Sequence, residues 1–95
     1  MTICDAINNR RLITFFYDGY SRTVEPHTAG IDKKGHEALR AYQIRGGSES
    51  GEFSGWKMFH VSEMQNISVL QEQFEGPRPK YKRNDSGFRN IRCQL

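Results

Sequence analysis

Four segments of the chain are rich in β-branched and aromatic residues or alternate hydrophobic with polar positions, as half-buried strands do. They are LITFFYDGY, HEALRAYQIR, WKMFHVSEM and QNISVLQEQF. Before them, Ile3, Ala6 and Ile7 recur at helical spacing behind Thr2, a residue type that caps helices. The pattern predicts a short helix over residues 3–10, followed by a sheet.

Turn residues separate these segments. Asp18-Gly19 is a strong hairpin signal, residues 32–35 (DKKG) form the next predicted turn, and residues 46–55 are rich in Gly and Ser, as flexible hairpin tips are. A second strand is expected from Tyr20 through TVEPHTAGI. Pro26 in its middle cannot donate to a sheet ladder, so this strand must lie at an edge or carry a bulge there.

One helix and five short strands predict a mainly β fold, a small five-stranded antiparallel barrel formed by residues 1–75. Residues 76–95 contain two prolines and no clear period. They are expected to form an extended basic arm, in which FRNIRCQL could dock through Phe88 and Ile91.

Charge is distributed unevenly along the 95 residues. The net charge is +3, but residues 76–95 hold six Lys or Arg and a single Asp, whereas residues 1–75 hold eight basic and ten acidic side chains. Any affinity for polyanions is therefore expected in the arm or in a local pocket. Lys80, Lys82 and Arg83 are predicted phosphate contacts, with a basic solubility tail as the alternative.

The sequence has no apolar run long enough to cross a membrane, and Asp5 interrupts the place where a secretion signal would be apolar. A cytoplasmic protein is expected. The two cysteines, Cys4 and Cys93, lie near opposite ends and match no metal motif or disulfide framework, so both are predicted to be reduced thiols.

The order of these segments resembles a WYL domain, in the branch whose second strand has the pattern Arg-x-Val-x-Pro-His. The residues that carry the resemblance are the leading helix, LITFFYDG, RTVEPH (22–27), LRAY (39–42) and WKMFHVSEM (56–64). The resemblance covers about residues 3–75. The Trp-Tyr-Leu triplet that names the family aligns with Glu37-Ala38-Leu39, and an arginine common near the end of the fourth strand is replaced by Glu63.

The resemblance implies an SH3-like or Sm-like barrel that senses a ligand in bacterial transcriptional or phage-defence regulators, where it usually follows a winged helix-turn-helix. The family's pocket positions correspond here to Arg22, His27, Arg40, Tyr42, Lys57 and Phe59. Only ten residues precede the first predicted strand, so the chain is expected to be a standalone module, a fragment or the partner of a DNA-binding regulator chain.

The residue types suit an anionic ligand. Arg22, Arg40 and Lys57 lie on three predicted strands, and if they converge they form a cationic pocket for phosphate. They could equally be three solvated side chains. Tyr42, Trp56 and Phe59 could stack on bases, but a core this small needs aromatics for packing, so Phe59 and Trp56 are assigned to the core.

No sequence pattern indicates catalysis, since carboxylate pairs, nucleophile motifs and phosphate loops are lacking. His36 and His60 have no Cys or His at metal-ligand spacing, and no cofactor is expected. We therefore predict a non-enzymatic module that binds nucleic acid or a nucleotide-like anion and does not bind membranes. A protein-interaction module is the alternative, and a homo-oligomer is compatible with either.

Overall fold

The computed structural model describes residues 1–51 and 53–95. Within these two ranges the structure contains one helix, six strands and a single 3-10 turn (Val61–Glu63). The elements are α1 (Ile3–Asn8), β1 (Arg11–Tyr17), β2 (Tyr20–Asp32), β3 (Glu37–Gly46), β4 (Gly55–His60), β5 (Gln65–Gln73) and β6 (Phe88–Gln94). The predicted helix and the five predicted strands are all present.

The strands form one antiparallel sheet in the order β4-β3-β2-β1-β5, with β6 paired to β2. A mainly β fold is thus confirmed. The pairings within residues 1–51 and 53–95 leave β4 and β5 at the edges of an open sheet, so closure into a barrel stays a prediction. No helix in these two ranges has both the length and the apolar character needed to cross a bilayer.

The first turn follows the sequence signal closely. Asp18 and Gly19 connect β1 to β2, and both have positive φ, 52° and 80°. A two-residue hairpin turn needs such φ values to match the right-handed twist of its two strands. At the start of the chain, Thr2 accepts a hydrogen bond from the backbone of Asp5, and the Asp5 carboxylate accepts one from Thr2. This capping box fixes the entry to α1.

Strand β2 carries the predicted bulge. Its register with β3 shifts between Pro26 and Thr28. On its other side, the pairing with β1 ends at Val24 and the pairing with β6 begins at Thr28. Pro26 therefore lies where β2 changes partners, and its missing N–H breaks no ladder there.

The sixth strand corrects the prediction of an extended arm. Residues 88–94 pair with the second half of β2, from Thr28↔Gln94 to Asp32↔Phe88. Phe88 is buried, which agrees with the expected docking. Local pattern could not show this strand, because its pairing partner lies some 60 positions away and its own sequence lacks strict alternation.

The expectation of two reduced thiols is wrong, because Cys4 and Cys93 form a disulfide across a sequence separation of 89 residues. Strand β6 packs beside α1 and thereby brings the two ends of the chain together. Residues of α1 and of the sheet pack together to form the core. Ile7, Ile13 and Phe15 are among its fully buried residues.

Candidate functional site

A cleft of about 220 Å³ lies between the outer face of β3 and β4 and the segment that precedes β6. Its lining combines cationic and aromatic side chains. The lining residues are Arg40, Trp56, Lys80, Tyr81, Lys82, Asp85 and Ser86.

The sheet supplies one aromatic wall of the cleft. The register of β3 and β4 pairs Tyr42 with Trp56, whose rings meet edge to face with centroids 5.6 Å apart. On β3, Tyr42 lies on the face opposite buried Ala41, and on β4, Trp56 lies on the face opposite buried Phe59. Both rings therefore point away from the core.

The segment that precedes β6 supplies the other wall. Trp56 Nε1 donates a hydrogen bond to the carbonyl of Pro79 at 3.0 Å, and the ring of Tyr81 lies nearly parallel to that of Trp56, at 19°. The Tyr81 hydroxyl donates to the carbonyl of Leu95 at 2.9 Å. Both rings are therefore held in place by hydrogen bonds at their polar atoms.

The charge of the cleft is positive. Three cationic groups line it against the single carboxylate of Asp85, which accepts a hydrogen bond from Arg40 Nε at 3.1 Å. Lys80 and Lys82 are both exposed, so their ammonium groups remain available to a ligand in solvent. This is the electrostatic character that a phosphate or another polyanion requires.

Arg78 fastens this segment to the sheet. Its guanidinium donates to both carboxylate oxygens of Glu25, at 2.7 and 2.9 Å, and lies 4.5 Å from the centroid of the Tyr42 ring. The hydrogen bonds that Arg78 donates to the Glu25 carboxylate raise the pKa of Arg78 above its usual value. Arg78 thus pairs inside the protein although its sequence context suggested the free basic arm.

His27 belongs to this internal packing and not to the cleft lining. It is fully buried, with its ring stacked on Phe74 and packed against Trp56. Nδ1 lies 2.8 Å from the carbonyl of Glu25, which only a ring N–H can satisfy, and Nε2 accepts the backbone N–H of Arg78 at 3.2 Å. These partners define the neutral tautomer, and burial lowers the pKa of His27.

Arg22 and Phe59 lie in the core. The Arg22 guanidinium donates to the carbonyl of Tyr17 at 3.1 Å and to Gln43 at 3.4 Å, and lies 5.5 Å from the Phe59 ring. Its side chain is 3% exposed, whereas Arg40 faces the cleft on the opposite side of the sheet. The expected convergence of Arg22 with Arg40 is therefore wrong.

The remaining predicted residues do not line the cleft. Lys57 follows Trp56 on β4, so its side chain starts from the other face of the strand. Arg83 donates from Nε to the carbonyl of Leu95 at 3.2 Å. Tyr42 packs against the Trp56 ring and the Arg78 guanidinium.

Of the predicted site residues, the structure brings Arg40, Lys80 and Lys82 together. Sequence reasoning missed Asp85 and assigned Trp56 to the core. The alternation along β4 already placed Trp56 on the face opposite Phe59, and this was the signal that could have found it.

Comparison with known proteins identifies no relative. No family model, no curated protein and no solved structure matches the chain. The resemblance to WYL domains therefore stays a prediction.

Proposed function

We propose that this chain is a binding and regulatory module that holds a nucleic acid or a nucleotide-like anion in the cleft. The observation that carries the proposal is the placement of Lys80, Lys82 and Arg40 around the paired rings of Trp56 and Tyr81. Cations and aromatic faces in one concavity are the two features that single-strand-binding surfaces combine.

Each group has a role in this proposal. The two lysines, on mobile four-carbon stems, neutralise phosphates as point charges. Arg40 is held by Asp85 and presents its remaining N–H groups to the cleft, where a phosphate can accept two of them. A base stacks on the exposed part of Trp56 or Tyr81, which requires no particular sequence.

We further propose that the sheet is a WYL-like, SH3-like or Sm-like barrel and that the chain serves bacterial transcriptional or phage-defence regulation without being an enzyme. The support is the order of RTVEPH, LRAY and the β4 segment, together with the mainly β fold. The expected cytoplasmic location is a proposal too. The disulfide between Cys4 and Cys93 argues against it, because disulfides persist mainly in oxidising compartments.

Fluorescence anisotropy with a labelled single-stranded oligonucleotide tests the proposal. The double variant Lys80→Ala/Lys82→Ala is expected to bind at least about tenfold more weakly than the wild type, since phosphate contacts dominate such affinity. Lys33→Ala/Lys34→Ala is the matched control, because it removes the same charge from the turn after β2. An equal loss of oligonucleotide affinity in both variants would show that only net charge matters, and would contradict a defined site.

A second candidate function is protein interaction, favoured by one observation. Phe16 on β1 and Ile67 on the neighbouring strand β5 are 46% and 40% exposed. Such residues on the edge strand β5 and on β1 beside it suit a partner chain or a second copy. Phe16→Ser should abolish that association while leaving oligonucleotide binding unchanged, and the mass in solution, measured by light scattering, reports it.

A further inference from the structure

We infer that Asp32, His36 and His60 form a binding site for one divalent transition-metal ion of the zinc class. The site is separate from the cleft and does not depend on the proposed function. It lies where β2 ends, at the turn to β3, and where β4 ends.

The spacing of the three residues in sequence does not indicate a metal site. Asp32 and His36 flank one turn, whereas His60 comes from the far end of β4. The register of β3 and β4 pairs His60 with Ala38, two positions after His36, and this pairing brings the two imidazoles to 4.6 Å between ring centroids.

The distances between the candidate ligand atoms fit a metal ion. Asp32 Oδ2 lies 3.5 Å from His36 Nδ1 and 3.7 Å from His60 Nε2, and one ligand atom from each residue lies within 4.8 Å of the others. Ligands about 2.0–2.1 Å from a tetrahedral zinc ion are about 3.4 Å from one another. The two distances from Asp32 Oδ2 are close to this value, and the two imidazole nitrogens, at most 4.8 Å apart, approach each other to coordinate one ion.

Asp32 is already arranged for this role. Its Oδ1 accepts the backbone N–H groups of Lys34 and His36, at 2.9 and 2.8 Å. The backbone N–H of Asp32 in turn donates to the carbonyl of His36 at 2.8 Å. These bonds fix the turn and orient the carboxylate, so that Oδ2 is the oxygen that faces both histidines.

His60 is oriented by a second carboxylate. Its Nδ1 lies 3.2 Å from Glu63 Oε2, which places the ring proton on Nδ1 and the lone pair on Nε2, the atom that faces Asp32. The backbone N–H of His60 donates to the Tyr17 hydroxyl at 3.1 Å. A carboxylate that holds the far nitrogen of a histidine is the usual support of a metal-binding imidazole.

The donor set selects the class of metal. Two imidazoles and one carboxylate suit Zn²⁺, Ni²⁺ or Cu²⁺, whereas Mg²⁺ and Ca²⁺ prefer oxygen ligands alone. The side chains of His36 and His60 are 52% and 38% exposed, so solvent reaches the ion and water supplies the fourth ligand.

Titration calorimetry on the full chain, with any affinity tag removed and metal stripped by a chelator, tests the inference. Zn²⁺ is expected to bind with one-to-one stoichiometry and Mg²⁺ not to bind. His36→Gln and His60→Gln should each weaken Zn²⁺ binding by at least about tenfold, and Glu63→Gln by about tenfold, as loss of a supporting carboxylate does. Glu72→Gln, an exposed carboxylate on β5, is the matched control and should leave the affinity unchanged.

The ring signals of the three histidines in NMR spectra give a second readout that does not require a variant to fold. Zn²⁺ should shift the signals of His36 and His60 and leave those of buried His27 in place. Binding that survives both histidine substitutions, shifts of all three histidines alike, or no binding at all would overturn the inference.

Discussion

Arg78 donates two hydrogen bonds to Glu25, from Nε to Oε1 at 2.7 Å and from Nη2 to Oε2 at 2.9 Å, across 53 residues of sequence. The Glu25 side chain is 7% exposed and the Arg78 side chain 41%. This pair attaches the segment before β6 to the bulged part of β2. Because that segment carries Lys80, Tyr81 and Lys82, the pair also gives the cleft its second wall.

Removing the arginine should destabilise the protein. Arg78→Ala leaves the buried Glu25 carboxylate without its partner, and we expect a loss of about 2 kcal/mol in the free energy of unfolding. This is less than for a fully buried pair, because solvent reaches Arg78. Arg92→Ala, which breaks the exposed pair with Glu37, is the control and should change stability by less than about 1 kcal/mol. Equal effects in urea titrations would contradict this account.

Stability should fall in mildly acidic solution because of His27. Burial lowers its pKa from the ordinary value of 6.5, so the unfolded chain binds the proton more readily than the folded one. The stability is therefore fully present above pH 6.5 and decreases as the pH falls below it toward the folded pKa. Protonation would also set Nε2–H against the N–H of Arg78.

The pH range between 5 and 6.5 isolates this effect. Asp5 and Asp32 also have lowered pKa values, chiefly through backbone hydrogen bonds from Thr2 and His36, but their contribution is lost only below about 3.8. Denaturant titrations with a chelator present should show the decrease in the wild type and a flat profile in His27→Gln. A wild-type profile that is flat in this range would refute the assignment.

The disulfide should contribute strongly to stability. Cys4 and Cys93 close almost the whole chain into one loop, so reduction releases much conformational entropy in the unfolded state. Cys4→Ser/Cys93→Ser is expected to lower the free energy of unfolding by about 2–5 kcal/mol. A thiol assay that finds two free cysteines in the folded protein would show that the bond is absent.

Arg22 should matter little for binding. It is buried beneath three aromatic rings, its Nε has no hydrogen-bond partner, and it is in none of the ion pairs of the described residues. Within the described residues, its guanidinium donates only to Gln43 and to the Tyr17 carbonyl, and neither of these residues lines the cleft. Arg22→Met should therefore keep the oligonucleotide affinity within about twofold of the wild type. A tenfold loss would mean that the ligand enters the core side of the sheet.

Local chemistry in the sequence was enough to predict the helix, the first five strands and the bulge. Thr2, the Asp18-Gly19 turn and Pro26 each act on their immediate neighbours, so their effects appear in short windows. The prediction of a phosphate site from Lys80 and Lys82 also came from local charge.

The errors concern pairings between distant residues. Glu25 meets Arg78 and Cys4 meets Cys93 only because β6 returns to β2, and His36 meets His60 only because β3 pairs with β4. A window of ten residues contains no signal for contacts between residues so far apart in sequence. Arg22 was misplaced for a related reason, since the strand alternation gives two faces but does not say which one is covered.

The salt dependence of oligonucleotide binding, followed by the fluorescence of the single tryptophan Trp56, tests the central claim most directly. Contacts from Arg40, Lys80 and Lys82 predict that the logarithm of the binding constant falls with the logarithm of the salt concentration with a slope of about −2. In Lys80→Ala/Lys82→Ala the slope should shrink to about −0.7. A slope near zero, or one that this double variant leaves unchanged, would contradict phosphate binding in the cleft.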